Sequence, residues 1–234
     1  DKPIPPNMIS YQKLPVKNNS SREVSLQNIQ GSLAKDGWSK GGDGFLQKTV
    51  TEKKKKKVTQ TLEFSISTGN AEELAKTAEI IKQDLSKIGM KVQIKTFEIG
   101  NLNQNVIRPR DYDALLFGQI INNESDLFAF WHSTQRKDPG LNIAMYTNAK
   151  VDKILEDASI TIDEDSRIKK YIQFEDEIKK DIPAVFLYSP KFIYVISKNL
   201  KGFSMSNITS PSDRFSNIYS QYTETENVWK IFTN

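Results

Sequence analysis

RDYDALLFGQIINNESDLFAFWHS, residues 110–133, decides how the chain folds. It opens with a turn at Arg110-Asp111, climbs through an apolar run from Ala114 to Phe117 and stops at Gly118. Next come a polar loop over residues 119–126 and an apolar helix that ends in Trp131-His132-Ser133. A buried strand that ends in glycine and spills into a polar loop puts side chains at the carboxyl edge of a sheet. In open α/β sheets that edge is where ligands sit. The sequence before this stretch reads as the rest of the sheet, and the sequence after it reads mostly as bracing for the loop.

Upstream, residues 58–68 (VTQTLEFSIST) alternate, with Leu62, Phe64 and Ile66 on one face, which predicts a single strand. Gly69-Asn70 turns the chain, and Asn70 is placed to cap the helix that follows. Glu72 and Glu73 face the positive end of its dipole. Leu74, Ala78, Ile81, Leu85 and Ile88 recur at spacings of three and four, forming one apolar stripe that Gly89 ends. Met90, Val92 and Ile94 alternate in a second strand, with Phe97 near its end. A short helical piece over 101–107 precedes Pro109, and the third strand covers 112–117. The order is β-α-β-α-β, and right-handed crossovers make the strands parallel.

Farther upstream, residues 1–21 are rich in Pro, Asn and Ser and read as an extended connector over a surface. Three prolines before residue 7 and a first residue that is Asp suggest a piece of a longer chain. A short helix is expected over 25–35, broken by Gly31. In DGWSKGGDGFLQK, Asp36-Gly37 and Asp43-Gly44 are turn dipeptides of a tight hairpin, with Trp38 and Phe45 as apolar anchors. Lys53 to Lys57 form an unbroken lysine run. With no interleaved aromatics and no groove-reading helix nearby, it reads as a solvated strand connection and not as a nucleic-acid patch.

Downstream, Asn148 is placed to cap a helix with Val151, Ile154, Leu155 and Ala158 inward. Asp163 is placed to cap a second, with Ile168, Tyr171, Ile172, Phe174 or Glu175, and Ile178 around its face. Two strand-like runs, AVFLYS and KFIYVIS, flank Pro190 and suit a hairpin-like or kinked pair. The end of the chain is polar but carries Phe203, Phe215, Tyr219, Tyr222, Trp229 and Phe232, which suggests that it docks on something.

The 234 residues are 37% hydrophobic and 26% charged, enough for one sizeable core or two small ones. A net charge of +4 does not by itself demand an anionic partner. No apolar run approaches the ~20 residues needed to cross a bilayer. There is no cysteine, which excludes disulfides and thiolate metal sites. His132 is the only histidine, so a His-rich metal site is excluded and a Ser-His-Asp triad would rest on it alone. Between Trp131 and Ser133 it reads as structural. No phosphate loop, dinucleotide fingerprint or nucleophile elbow is present.

Asp111 and Asp113 share a strand face, but they lie at the start of the strand, the wrong edge for a parallel-sheet site. Asp113 is read as pairing with an Arg or capping a turn. Glu124 and Asp126 lie in the loop, where they can hold a cation or an amine or cap the next helix, the commoner use. Gln119, Asn122 and Asn123 offer amides that both donate and accept, which suits a ligand with peptide-like groups. A polar loop without a catalytic set points to binding and not to turnover.

RDYDALLFG, then WHS, then GLNIAMYTNAKVDKILEDA, then Arg167-x-x-x-Tyr171-x-x-Phe174 ahead of KKDIPAVFLYSPKFIYV and LKGF, resembles the C-terminal half of the family 5 extracellular solute-binding proteins. These are the peptide- and nickel-binding components of ABC importers. The earlier DGW…GGDGFLQK, TLEFSIST and LSKIGMKVQI resemble that family in the same order, so the likeness runs from about Pro3 to Trp229. It implies an α/β, periplasmic-binding-protein-like lobe with extra C-terminal helices and strands, one half of a two-lobed clamp. In the peptide-binding members the segment after the Leu-Phe-Gly strand carries a Trp and then an Asp that holds the peptide amino group. Here Gln119 stands at the Trp position and Asn122 at the Asp position of an ungapped loop, and Asn supplies no negative charge. Asn142 and Tyr146 match the family Asn and Tyr, and read as bracing the loop.

The expected organisation is a connector and hairpin region over 1–57, an α/β ligand-binding lobe over 58–198 and a tail over 199–234 returning toward a first lobe. The expected ligand contacts are Gln119, Ile120, Ile121, Asn122, Asn123, Glu124 and Asp126, with no catalytic residue, metal or cofactor. The expected partners are an oligopeptide or similar small solute, an ABC importer permease and an N-terminal lobe of the same chain, with no nucleic acid, and the expected location is extracytoplasmic. Two rivals remain: a non-transport sensor or chaperone-like peptide binder on the same fold, and a hydrolase using Glu124 and Asp126.

Overall fold

A computed structural model describes residues 2–6, 8–11, 22–51, 57–204 and 210–223. Most of the lysine run, and Trp229 and Phe232, lie outside the described residues. The chain divides into two compact units, one of residues 14–119 and 137–139, the other of 1–13, 120–136 and 140–234. The boundary between Gln119 and Ile120 falls within the 58–198 segment.

The first unit contains helix α1 (Arg22–Lys35), which runs through Gly31 without a break. Gly31 is exposed and lowers helix propensity by roughly 1 kcal/mol, too little to end the helix. Strands β1 (Ser39–Lys40), β2 (Leu46–Thr51) and β3 (Lys57–Thr61) form an antiparallel sheet in that order. The expected turns are present, with Gly37 and Gly44 at positive φ of 90° and 83°. The buried anchor of the hairpin is Leu46, whereas Phe45 and Trp38 are half-buried.

The strand expected over 58–68 is two strands in two sheets. Leu62 is the switch: its amide donates to the Leu46 carbonyl at 2.8 Å, and its carbonyl accepts from Lys91 at 3.0 Å. Beyond it β4 (Glu63–Gly69) pairs in parallel with β5 (Lys91–Phe97) and with β6 (Ala114–Leu116), giving the order β5-β4-β6. Helix α2 (Glu72–Ile88) links β4 to β5 and buries Ala78 and Ile88. Asn70 does not cap it: Ala71 holds the cap position without a side-chain hydrogen bond, so Glu72 and Glu73 are what face the dipole. Gly89 closes the helix in the left-handed conformation at φ 100°. The second crossover is a helical turn α3 (Ile99–Asn101) that widens into a π-helix, Leu102–Ile107, burying Leu102 and Val106. The β-α-β-α-β core therefore stands, with its third strand shorter than the 112–117 expected.

The second unit is mainly helical. Helices α4 (Asp126–Trp131), α5 (Ala149–Ile160) and α6 (Glu164–Asp181) enclose a core that includes Leu127, Trp131, Val151, Leu155, Phe174 and Ile178. The Asn148 side chain accepts from the amides of Lys150 and Val151, and Asp163 accepts from Ser166, so both expected caps form. The inward faces of α5 and α6 are those the spacing predicts, with both Phe174 and Glu175 buried.

Two expectations fail in this unit. Of the connector expected over 1–21, the described residues 2–6 and 8–11 are largely inside: Ile4 is fully buried, Met8 and Ser10 nearly so, and the Lys2 ammonium meets the Glu175 carboxylate at 3.1 Å inside the core, while Ile9 is exposed. An apolar residue between prolines can be buried when a distant acid neutralises the neighbouring charge. The AVFLYS and KFIYVIS runs form no sheet ladder among the described residues, and Val185, Ile193 and Val195 are 76–86% exposed. The ladder near them joins β7 (Leu200–Lys201) to β8 (Tyr222–Thr223). Arg214 lies over the rings of Phe192, Tyr194 and Phe215, with its guanidinium carbon 4.3–5.5 Å from their centroids.

Candidate functional site

Strand β6 ends at Leu116, whose carbonyl accepts from the Thr68 hydroxyl of β4 at 3.0 Å. The loop therefore leaves the carboxyl edge of the parallel sheet beside the central strand, where the strand order reverses. Gly118, Gln119 and Ile120 are exposed, Ile120 by 64%. Ile121 turns inward and packs on the core of the second unit, so it is the loop's apolar anchor.

The rest of the loop is held from below. One oxygen of Asp126, Oδ2, accepts from the amides of Asn122 at 2.8 Å and Asn123 at 3.4 Å. The Asn123 side chain accepts from the Ser125 amide at 3.0 Å and from its hydroxyl. Glu124 Oε1 accepts from both the amide and the hydroxyl of Ser10, each at 3.2 Å. Neither acid caps α4 in the usual sense: Asp126 is its first residue and bonds backward into the loop. The exposed Gln119 and Asn122 side chains make no hydrogen bond among the described residues, which leaves their amides open to solvent.

Behind the loop, Asn142 is fully buried. Its amide nitrogen donates to the carbonyls of Trp131, His132 and Tyr146 at 3.0–3.2 Å, and its oxygen accepts from the Tyr146 amide at 3.1 Å. Tyr146 in turn donates its hydroxyl to Asp181 at 2.6 Å. Burial, and then the Asp181 carboxylate, push the Tyr146 phenol well above its ordinary value. The Asp181 carboxyl is held below its own by the Tyr146 hydroxyl and then by the Asn148 amide. Asn142 and Tyr146 thus brace the end of α4, whereas the sequence predicts bracing of the loop that precedes it.

His132 is 4% exposed and stacks on Phe128 with ring centroids 4.2 Å apart. Its Nδ1 lies 2.8 Å from the Thr134 hydroxyl and its Nε2 3.3 Å from Glu156. The Ser133 hydroxyl bonds Asp152 and not the imidazole, so these residues are not wired as a triad. Asp113 finds Ser65 and not an arginine: its Oδ2 accepts from the Ser65 hydroxyl and amide. A polar hollow of about 310 Å³ lies beside this pair, lined also by Ser67, Lys95 and Arg110. No group of three or more acidic or imidazole side chains converges as a metal site among the described residues.

The family described as bacterial extracellular solute-binding proteins, family 5 middle, matches residues 1–140. The oligopeptide-binding protein AppA of Bacillus subtilis is 32% identical over 183 residues, covering 77% of this chain and 32% of that protein. The chain thus spans about a third of the length of this curated relative. The solved structure of Bacillus subtilis AppA in complex with a nonapeptide is similar at a TM-score of 0.69 and 27% identity, covering 96% of this chain and 42% of that one. The oligopeptide binding protein of Thermus thermophilus, complexed with a pentapeptide, shares the fold at a TM-score of 0.69 and 22% identity, over 89% of this chain and 36% of that one.

Proposed function

The chain belongs to the bacterial extracellular solute-binding proteins of family 5, and from this we propose that it supplies one lobe of a clamp that captures an oligopeptide and delivers it to an ABC importer. The observation that carries the proposal is the loop after β6. The side-chain amides of Gln119 and Asn122, in the stretch that follows β6, are exposed. A peptide backbone presents alternating donors and acceptors, and each amide side chain can answer either. The likeness to AppA, an oligopeptide-binding protein solved with a nonapeptide, supports a peptide over other solutes.

Gln119, Ile120, Asn122 and Asn123 meet the ligand directly in this proposal, and Ile121, Glu124 and Asp126 fix the loop that presents them. With Asn122 at the family's Asp position, the amino terminus of the peptide is held by dipoles and not by a full charge there. The second lobe belongs to the same polypeptide, and the exposed apolar residues between Val185 and Ile196 supply a surface for it to cover. Residues 1–57 and 199–234 then connect to that lobe, and 58–198 carry the ligand loop. Ligand bridging the lobes stabilises the closed state through contacts it makes only there.

An importer permease is the receiving partner, and the place of work is the outer face of the cell membrane or the periplasm. Among the described residues no helix is long and apolar enough to cross a membrane. Calorimetric titration with peptides of mixed length, on a polypeptide containing both lobes and on this chain alone, tests the proposal. Heat of binding for the two-lobed protein with none for this chain is expected. Equal binding by both would overturn the half-site.

A further inference from the structure

Residues 2–6 and 8–11 are seated in the second unit at three points. The Lys2 ammonium meets Glu175 of α6 at 3.1 Å and lies 4.9 Å from the centre of the Tyr11 ring, and Ile4 is fully buried. At the far end Ser10, 1% exposed, directs both its amide and its hydroxyl at one oxygen of Glu124, 114 residues later. We infer that Ser10 and Glu124 form a latch by which residues 2–11 set the position of the ligand loop, making Ser10 a positioning residue for ligand capture.

Glu124 stands between two features with different tasks. The exposed amides of Asn122 and Asn123 precede it, and helix α4 comes after it. A carboxylate receiving two hydrogen bonds from one buried residue has little freedom, and charged acceptors make the stronger bonds. The loop cannot move away from residues 2–11 without leaving the buried Ser10 hydroxyl unpaired, which is costly. The Glu124 charge also reaches α6: burial first, and then Glu124, raise the Tyr171 phenol above its ordinary value. Tyr171 therefore reports on where the Glu124 carboxylate lies.

The part of the inference that concerns ligand capture rests on the peptide proposal, whereas the latch itself is measured on this chain without ligand. Hydrogen exchange at the amides of Asn122 and Asn123, which bond Asp126 and not Glu124, reads the order of the loop. In Glu124→Ala, which removes both bonds, these amides exchange at least about tenfold faster, equivalent to ~1.4 kcal/mol. In Ser10→Ala, which keeps the bond from the amide, they exchange more than about twofold faster but less than in Glu124→Ala, while those of α5 and the middle of α6 keep their rates in both. Ser10→Thr restores slow exchange. The double variant is no faster than Glu124→Ala alone, as expected when both changes break one contact. Glu124→Gln, the mildest change, lowers the alkaline titration of Tyr171.

Exchange at Asn122 and Asn123 within twofold of the parent chain in both alanine variants would overturn the latch. So would equal acceleration across α5 and α6, which means general loosening. In the two-lobed protein, Ser10→Ala weakens peptide binding and Ser10→Thr restores it. If the loop amides respond but no peptide binds the unaltered protein, the latch stands and the peptide reading falls.

Discussion

Asp113, at the mouth of the strand that feeds the candidate loop, receives both the hydroxyl of Ser65 at 2.7 Å and its amide at 2.9 Å. One carboxylate thus ties the start of β6 to the buried middle of β4, 48 residues earlier. The pairing gives Asp113 the structural task expected of it, with Ser65 as the partner in place of an arginine.

Those two bonds, the hydroxyl's first, hold the Asp113 carboxyl below its ordinary value. A depressed folded-state value means that the stabilisation is complete above the ordinary carboxylate range, near pH 4, and is lost as pH falls through the folded-state value. Urea midpoints should therefore be lower for Asp113→Asn than for the parent chain at pH 7, with the gap narrowing toward pH 3. A gap independent of pH would contradict the assignment.

Tyr146 gives the opposite sign. Its raised value favours the neutral phenol in the folded state, so the stabilisation is complete below the ordinary tyrosine value of about 10 and fades as pH rises from there through the folded-state value. Tyr146→Phe should lower stability at pH 7 and lose less on going from pH 9 to 11 than the parent chain does. Denaturant midpoints across that range, alongside ultraviolet titration of tyrosinate, check the expectation.

Asn142→Ala would strand the buried Tyr146 amide and the carbonyls that share the Asn142 nitrogen, at a cost of about 3 kcal/mol. Asn142→Asp should be no rescue, because a carboxylate accepts where three carbonyls need a donor. Equilibrium unfolding of both variants measures the loss.

Phe174 is fully buried on α6 and meets Trp131 edge-on, with ring centroids 6.2 Å apart. Phe174→Ala should destabilise the chain by about 3–5 kcal/mol and change the environment of Trp131. Near-ultraviolet circular dichroism and urea unfolding would show both effects.

Much of this architecture is legible in the sequence because local periodicity and tertiary placement agree. The stripe from Leu74 to Ile88, the stop at Gly89 and the caps at Asn148 and Asp163 each depend on neighbours within a few residues. The misread features depend on distant partners. The alternation of residues 58–68 continues across Leu62, and only the Leu46 and Lys91 backbones reveal a change of sheet there. Pro-punctuated residues 2–11 look like surface because nothing local announces Glu175. The strand-like runs around Pro190 have the composition of strands, but a ladder requires a second strand, and none lies beside them among the described residues. At the candidate site the position of the loop is legible from Gly118 and the amides after it. The role of Glu124 is not, since Ser10 gives no sign of reaching it.

If the amides after β6 hold a peptide, the most direct measurement is calorimetric peptide titration of the two-lobed protein with Gln119→Ala, Asn122→Ala and both together. Binding by the parent protein is predicted, with weakening of about tenfold or more in the double variant, ~1.4 kcal/mol. Thermal stability should be unchanged, because both side chains are exposed. Binding that survives both substitutions undiminished would contradict the assignment of the loop to the ligand.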